Sequence, residues 1–325
     1  MEQKPIRRIG VLTSGGDAPG MNPVIRAVVR TAAAHGISVL GIRRGYSGLI
    51  NGDIIELAAR SVDGISRKGG TMLYTARCKE MLTDEGLQKA ADTCKYMGID
   101  GLVCIGGDGT FRGALALSRL GVPCIGVPGT IYNDIGCSEY TIGFDTACNT
   151  ALECIDKLRD TMQSHERCSV VEVMGRHAGH LALNVGCACG ATAIMLPERE
   201  IDFETAVIEK MRMGRIKGRN HHIIIVAEGY GSAQEVADRI HDATGIDTRL
   251  TILGHIQRGG SPSSQDRIMA TRMGYAAVMA LEGGKSKRVV VMQGGHIVDL
   301  DIEEALSMAK DLNQSLFEAQ STVAI

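Results

Sequence analysis

Short apolar runs alternate with amphipathic stretches along almost the whole of this 325-residue chain. Residues 9–12, 39–42, 101–105, 124–127, 169–174, 193–196, 222–227, 250–253 and 289–292 are apolar runs of strand length, most of them closed by glycine, proline or a polar turn residue. Between them lie segments with helical spacing. One begins at Asn22-Pro23, with Asn22 as the expected cap and Pro23 at the first helical position, and Val24, Ala27, Val28 and Ala32 share its apolar face. Others cover 83–98, 111–120, 144–161, 177–187, 203–215, 236–244 and 264–281. Strand and helix in strict alternation predict an α/β protein built of two doubly wound, Rossmann-like units, and the length allows each its own core. No Pro/Gly/Ser-rich linker separates them, so the pattern alone places a boundary near Gly143.

The stretch 103–135, VCIGGDGTFRGALALSRLGVPCIGVPGTIYNDI, organises the rest. Two buried strands in it end in glycine turns, Gly106-Gly107-Asp108-Gly109-Thr110 and Pro128-Gly129-Thr130. In an open parallel sheet such ends line one crevice, where ligands bind. Glycines let a phosphate chain approach the backbone, and Asp108 and Asp134 are placed to share a divalent cation bound to it. A tight structural loop fits the GGDGT turn as well, but Gly15-Gly16-Asp17 at a further strand end favours phosphate. No GxxxxGK[ST] loop exists, and 107–113 narrowly misses GxGxxG. Arg176, after a strand and a glycine, is either a solvated charge or a phosphoryl-stabilising one. His255 is either a core histidine or a ligand. Arg26 and Arg30 share a helix face, as a solvated stripe or as an anion lining.

Composition narrows the classes. A net charge of −2 gives no basic field for nucleic acid or a membrane surface. No apolar run is long enough to span a bilayer, and the charged N-terminus MEQKPIRRIGVL does not read as a signal peptide. The ten cysteines are dispersed without a CxxC pair, which points to reduced thiols and a cytoplasmic setting rather than a disulfide framework or zinc site.

Five strings together resemble the bacterial ATP-dependent 6-phosphofructokinase family: TSGGDAPGMN at 13–22, GGDGT at 106–110, PGTI-ND at 128–134, VVEVMGRHAG at 170–179 and LGHIQRGGSP at 253–262. They are long, rare and spread over most of the chain. The resemblance implies two discontinuous domains with the active site in the cleft between them. The ATP-binding domain would be 1–143 plus 257–307, and the fructose 6-phosphate domain 144–256 plus 308–325. It implies that Gly16, Arg77, Cys78, Gly107, Asp108, Gly109 and Thr110 bind the nucleotide, and that Asp108 and Asp134 hold Mg²⁺. Gly16, Thr130 and Arg176 would serve catalysis beside residue 132. Thr130, Ile131, Tyr132, Met174, Gly175, Arg176, Glu228, His255, Ile256, Gln257 and Arg258 would bind the sugar phosphate, with Arg167 and Arg249 reaching it from a neighbouring subunit of a homotetramer. Gly109 and Gly129 match the ATP-dependent branch rather than the pyrophosphate-dependent one. Arg26, Arg30, Arg159, Lys217 and Arg219 match the lining of an ADP or phosphoenolpyruvate effector pocket. Ala59, Gly64, Thr192 and Asn220 depart from that pocket's pattern, so the family's regulation does not transfer.

One departure is central. Where the family has its proton-accepting aspartate, this chain has Tyr132. A carboxylate is ionised at pH 7, whereas a phenol of ordinary pKa is about one part in a thousand ionised. If the backbone there is extended, Asp134 points to the same side. Two functions stay open: a kinase phosphorylating the 1-hydroxyl of fructose 6-phosphate from MgATP with a slowed chemical step, or a catalytically weak paralogue or inactivated variant that binds the ligands and serves as a regulatory or assembly subunit. A single base change converts Asp to Tyr, so an introduced substitution also fits.

Overall fold

The computed structural model describes residues 5–324; Met1, Glu2, Gln3 and Lys4 of the charged N-terminus, and Ile325, lie outside the described residues. The chain divides into two units. The first comprises the described residues up to Thr146 together with Arg258–Lys310. The second comprises Ala147–Gln257 together with the described residues from Asp311 onward.

The first unit opens with β1 (Arg8–Thr13), α1 (Met21–Ala34), β2 (Ser38–Ile42), α2 (Gly45–Asn51), β3 (Ile54–Leu57), α3 (Asp84–Tyr96), β4 (Gly101–Gly106), α4 (Asp108–Arg119) and β5 (Cys124–Pro128). The chain leaves this unit near the start of α5 (Phe144–His165). The second unit continues through β6 (Cys168–Val173), α6 (His180–Ala188), β7 (Ala193–Met195), α7 (Lys210–Ile216), β8 (His222–Ala227), α8 (Ala233–Thr244) and β9 (Thr248–Ile252). Back in the first unit lie α9 (Ser264–Glu282), β10 (Arg288–Gln293), β11 (His296–Asp301) and α10 (Ile302–Ser307). The second unit takes α11 (Gln314–Val323).

In the first unit seven strands run in the order β11-β10-β5-β4-β1-β2-β3, and only the edge strands β3 and β11 are antiparallel to their neighbours. Strands β4 and β5 are buried along their whole length, which is why they read as unbroken apolar runs: a parallel sheet is covered on both faces. Alternate side chains Leu12, Leu40, Leu102 and Cys104 join one cluster with Leu49, Ala90, Phe111 and Leu117 from the helices. Helices α1 and α9 pack against each other, closely enough that a methyl group on Gly274 would lie 2.7 Å from the Ala27 methyl. The chain builds β1, β2 and β3 outward, then returns to β4 on the other side of β1. The topological switch point therefore lies between the carboxyl ends of β1 and β4.

The second unit holds four parallel strands in the order β7-β8-β6-β9. Val170, Met195, Ile224 and Val226 pack with Phe203, Val207, Met211, Val236 and Ile240. Both units are thus mixed α/β layers with parallel sheets, as the alternation predicts.

Several local expectations are corrected. Asn22 does not cap α1; Gly20 does, in the left-handed conformation (φ 112°), and Asn22 lies inside the helix. Its amide instead donates to the Lys68 and Gly69 carbonyls, while its oxygen accepts from Met72 N–H at 2.7 Å, so it holds the 68–72 loop. Helix α4 starts at Asp108, three residues before the apolar pattern does. Helix α6 starts at His180 rather than 177, and 204–209 winds as a π-helix ahead of α7. The strand expected at 250–253 begins at Thr248.

Candidate functional site

In the first unit the turns after β1, β4 and β5 are bonded into one frame. Ser14 N–H donates to Ile105 O at 3.0 Å, Thr110 hydroxyl to Ser14 O at 3.1 Å, and Gly129 N–H to Gly106 O at 3.0 Å. Thr75 hydroxyl donates to Gly15 O at 2.8 Å, which brings the 67–77 loop onto the same frame. Gly106 has no room for a side chain, since a methyl group would fall on Thr110 Oγ1 and Ser14 O. Gly107 and Gly109 are the opposite case: a methyl group on either meets nothing within 4 Å. Their faces are open, at the first turn of α4, where backbone amides and the helix dipole favour an anion. Thr110 is buried in the frame, Asp108 is exposed, and Gly16 is exposed on the neighbouring turn. Arg77 is exposed on the adjoining loop, and Cys78 is half-buried against the apolar cluster.

Tyr132 stands in the turn after β5. Its N–H donates to Thr130 Oγ1 at 3.2 Å, and Thr130 O accepts from the Thr141 hydroxyl at 2.7 Å. The phenol oxygen accepts a hydrogen bond from Arg258 Nη2, and the guanidinium carbon lies 5.2 Å from the ring centre. Arg258 Nη1 donates to Asp17 O at 2.9 Å. A methyl group on Gly16 would lie 2.6 Å from that nitrogen. Gly16, Asp17, Tyr132 and Arg258 therefore form one cluster, far apart in sequence. Ile131 is fully buried, so only its backbone is available to a ligand.

The backbone through 132–134 is not extended, so the condition for Tyr132 and Asp134 facing one way is not met. Asn133 is in the left-handed region (φ 51°), so Tyr132 and Asp134 are not alternate residues of a strand facing one way. Asp134 bears instead on Lys310, whose ammonium burial drives down to about 8 while the charge of Asp134 opposes the shift. Burial raises the Cys137 thiol to about 11, with Asp108 adding to the rise and Lys310 opposing it. Asp108 and Asp134 thus act on one small neighbourhood around Cys137 and Lys310. Among the described residues no three His, Cys, Asp or Glu side chains form a metal cage. Two carboxylates beside a phosphate cradle fit a Mg²⁺ that arrives with a nucleotide, because Mg²⁺ typically takes one or two carboxylates plus phosphate oxygens and water.

In the second unit Met174, Gly175, Arg176, Glu228, His255, Ile256 and Gln257 gather at the carboxyl ends of β6, β8 and β9, whereas Arg167 and Arg249 lie at the amino ends of β6 and β9. Arg176 is left-handed (φ 59°) just after β6, and its N–H donates to the Glu228 carboxylate that closes β8. Met174 is buried, and its N–H donates to Gln257 Oε1 at 3.3 Å. Gln257 is itself buried and donates to Gly254 O at 3.0 Å, so its amide braces the turn. Gly175 is buried, while Arg176, His255 and Ile256 are exposed. Arg167 and Arg249 share one carboxylate, Asp247, at 2.6 and 3.0 Å.

The expected effector residues fall in both units. On α1, Arg26 is half-buried, and Arg30 pairs with Asp63. In the second unit Arg159 donates to Cys189 O, and Arg219 to Gly190 O at 3.2 Å and Ala324 O at 2.8 Å; Lys217 is exposed. Beneath them Thr192 hydroxyl meets His222 Nδ1 at 3.2 Å. His222 Nε2 is buried with no hydrogen-bond partner among the described residues.

Sequence reasoning missed Lys310, the Arg258 contact with Tyr132, and Asp266. The Asp266 carboxylate is fully buried and accepts from Gly143 N–H at 2.7 Å, Thr146 N–H at 2.9 Å, and the Tyr140 and Thr146 hydroxyls. An aspartate in the first turn of a helix normally reads as a solvated residue near the dipole, so nothing local marks it.

Comparison with known proteins bears on this geometry. The family described as Phosphofructokinase matches residues 8–281. The ATP-dependent 6-phosphofructokinase of Clostridium botulinum (strain Loch Maree / Type A3) is 55% identical over 313 residues, covering 96% of this chain and 98% of its own length. That of Clostridium acetobutylicum is 54% identical over the same shares. Among solved structures, phosphofructokinase from Saccharomyces cerevisiae superposes with a TM-score of 0.89 at 35% identity, over 98% of this chain and 48% of that one. A pyrophosphate-dependent phosphofructokinase from Marinobacter aquaeolei shares the fold, with a TM-score of 0.84 at 21% identity, over 97% of this chain and 91% of that one.

Proposed function

The chain belongs to the phosphofructokinase family, and we propose on that premise that it transfers the γ-phosphoryl group of ATP to the 1-hydroxyl of fructose 6-phosphate, giving fructose 1,6-bisphosphate and ADP. The observation that carries this reading is the frame at the carboxyl ends of β1 and β4. Gly107 and Gly109 leave it open while Gly106 and Thr110 lock it together. A phosphate chain lies along such a surface, with Gly16, Arg77, Cys78 and Gly107 to Thr110 around it. Asp108 and Asp134 would hold Mg²⁺, which when bound neutralises charge on the phosphate oxygens. Arg176, Met174, Gly175, Glu228, His255, Ile256 and Gln257 on the second unit, with Arg258 and Thr130 to Tyr132 on the first, would receive the sugar phosphate. Arg167 and Arg249 would serve a neighbouring subunit in a homotetramer. The first unit is accordingly the nucleotide domain and the second the sugar-phosphate domain. The dispersed cysteines, with no CxxC pair, fit a cytoplasmic enzyme.

Tyr132 sets the rate. The attacking hydroxyl must lose its proton as the new O–P bond forms. A phenol is a poor acceptor at pH 7, and the hydrogen bond from Arg258 that stabilises a phenolate also weakens it as a base. Phosphoryl transfer leans chiefly on positioning and electrostatics, so activity persists but falls by about 10²–10⁴-fold. The second reading, a ligand-binding regulatory or assembly subunit, rests on the same tyrosine. A coupled assay for ADP release decides between them on this chain and on Tyr132→Asp at saturating substrates. Recovery of turnover in the aspartate variant, with ATP affinity unchanged, supports the kinase with a slowed step. Turnover already at tens per second in the parent, with no gain from aspartate, would overturn the role given to Tyr132. An effector site for ADP or phosphoenolpyruvate built from Arg26, Arg30, Arg159, Lys217 and Arg219 would respond weakly to ADP, because Thr192 offers no carboxylate to that effector's Mg²⁺.

A further inference from the structure

The side chain of Lys310 reaches into the turn that carries Tyr132 and Asp134. Its ammonium donates to Asn133 Oδ1 at 2.7 Å, Ser138 O at 2.6 Å and Glu139 O at 3.3 Å. Three protons on one nitrogen thus meet three acceptors spread over seven residues of a single loop. Asn133 is the left-handed residue between Tyr132 and Asp134, and its amide also leans toward Glu139 O at 3.4 Å. The backbone before the lysine lies flush on the same loop: any side chain at Gly136 would fall on Met308 O, and Gly136 has none. Asparagine enters the left-handed region more readily than other side chains, and its local hydrogen bonds decide whether it stays there. Here the fixing group is a half-buried cation on a segment distant in sequence.

We propose that Lys310 is a positioning residue for phosphoryl transfer, holding Asn133 in the turn that sets where Tyr132 and Asp134 stand. This rests on the reading of that turn as catalytic. A lysine that merely tied two segments together would affect folding and leave the chemical step alone. A positioning lysine acts on turnover, because displacements near one ångström in a catalytic group cost rate steeply. Lysine suits the task better than arginine, since three acceptors around one point match a tetrahedral ammonium and not a planar fork.

The test uses the full-length chain carrying Tyr132→Asp as parent, with Lys310→Met and Lys310→Arg added singly. kcat, KM for ATP, thermal midpoint and amide exchange over 130–139 are measured for each. The expected result for Lys310→Met is a kcat lower by roughly ten- to a hundredfold, a KM for ATP changed much less than kcat, and faster exchange confined to 130–139. Lys310→Arg keeps the charge and is expected to lose kcat as well. If the loop exchanges faster and kcat is unchanged, or if activity is lost only in step with folded protein, the lysine is structural and the inference fails. Full kcat in the arginine variant also overturns it, since charge alone would then suffice. An inactive Tyr132→Asp parent counts against the catalytic reading of the turn itself, a failure distinguishable from the other three.

Discussion

His222 shows how a single residue escapes a sequence pattern. It opens β8 as one more member of an apolar run, and its ring is as buried as its isoleucine neighbours, yet one nitrogen has no hydrogen-bond partner among the described residues. Burial, then the nearby charges of Arg219 and His221, drive the imidazole down from 6.5 to about 4. The folded chain therefore keeps this ring neutral where an unfolded chain protonates it. Stability from His222 is present above pH 6.5 and is lost as pH falls from there toward 4. The loss reaches about 2 kcal/mol near pH 5. Thermal unfolding at pH 7 and pH 5 should show a larger drop for this chain than for His222→Gln; parallel drops would remove the histidine from the account. Tyr132 is the contrary case, legible at once because it breaks a rare string. Its contact with Arg258 was not legible, because no spacing rule joins residues 132 and 258. Lys310 was hidden for the same reason, in SMAKDL, a segment with neither period nor motif.

At the scale of elements, legibility followed burial. Strands β1, β4, β5 and β8 have almost every residue inside, so their apolar runs are unambiguous. Strands β3 and β11 are half-exposed sheet edges, and their pairing is decided by the neighbour rather than by their own composition. Helices α2, α10 and α11, two to three turns each, left no period long enough to read. The glycine turns were legible as motifs, but their division of labour came from packing: Gly106 seals the frame and Gly109 opens it. Gly109→Asp therefore has space for its side chain and sets a carboxylate against the expected phosphates. ATP affinity should fall roughly tenfold, by like-charge repulsion, with the thermal midpoint nearly unchanged. Calorimetry that finds ATP bound as tightly as before would mean the nucleotide does not lie along this turn.

For the whole molecule, the two α/β units and their parallel sheets followed from alternation, while the interleaving of their segments did not. The chain passes to the second unit after Thr146, returns at Arg258 and leaves again after Lys310. No change of composition marks those points. Assembly is likewise a property of the whole, and here Arg249 supplies the test. It shares Asp247 with Arg167 on the edge strand β9, the pair assigned to a neighbouring subunit's sugar phosphate. Arg249→Ala should weaken fructose 6-phosphate binding by about tenfold or more and leave ATP binding alone, since a charge-assisted phosphate contact is worth at least that much. A fully active monomer by light scattering would sink the shared-site arrangement.

The interleaving also bears on how the chain is made. Strand β5 is finished early in synthesis, but its outer neighbour β10 pairs with it only through Arg288 and Val289, which the ribosome reaches after the entire 147–257 segment. At typical elongation rates that leaves an apolar parallel edge unpaired for on the order of ten seconds or more. During that interval the nascent chain carries an open template for strand addition, which the finished sheet closes with the short antiparallel hairpin of β10 and β11. Crowded translation of this message would thus demand chaperone protection early, before the second unit has emerged.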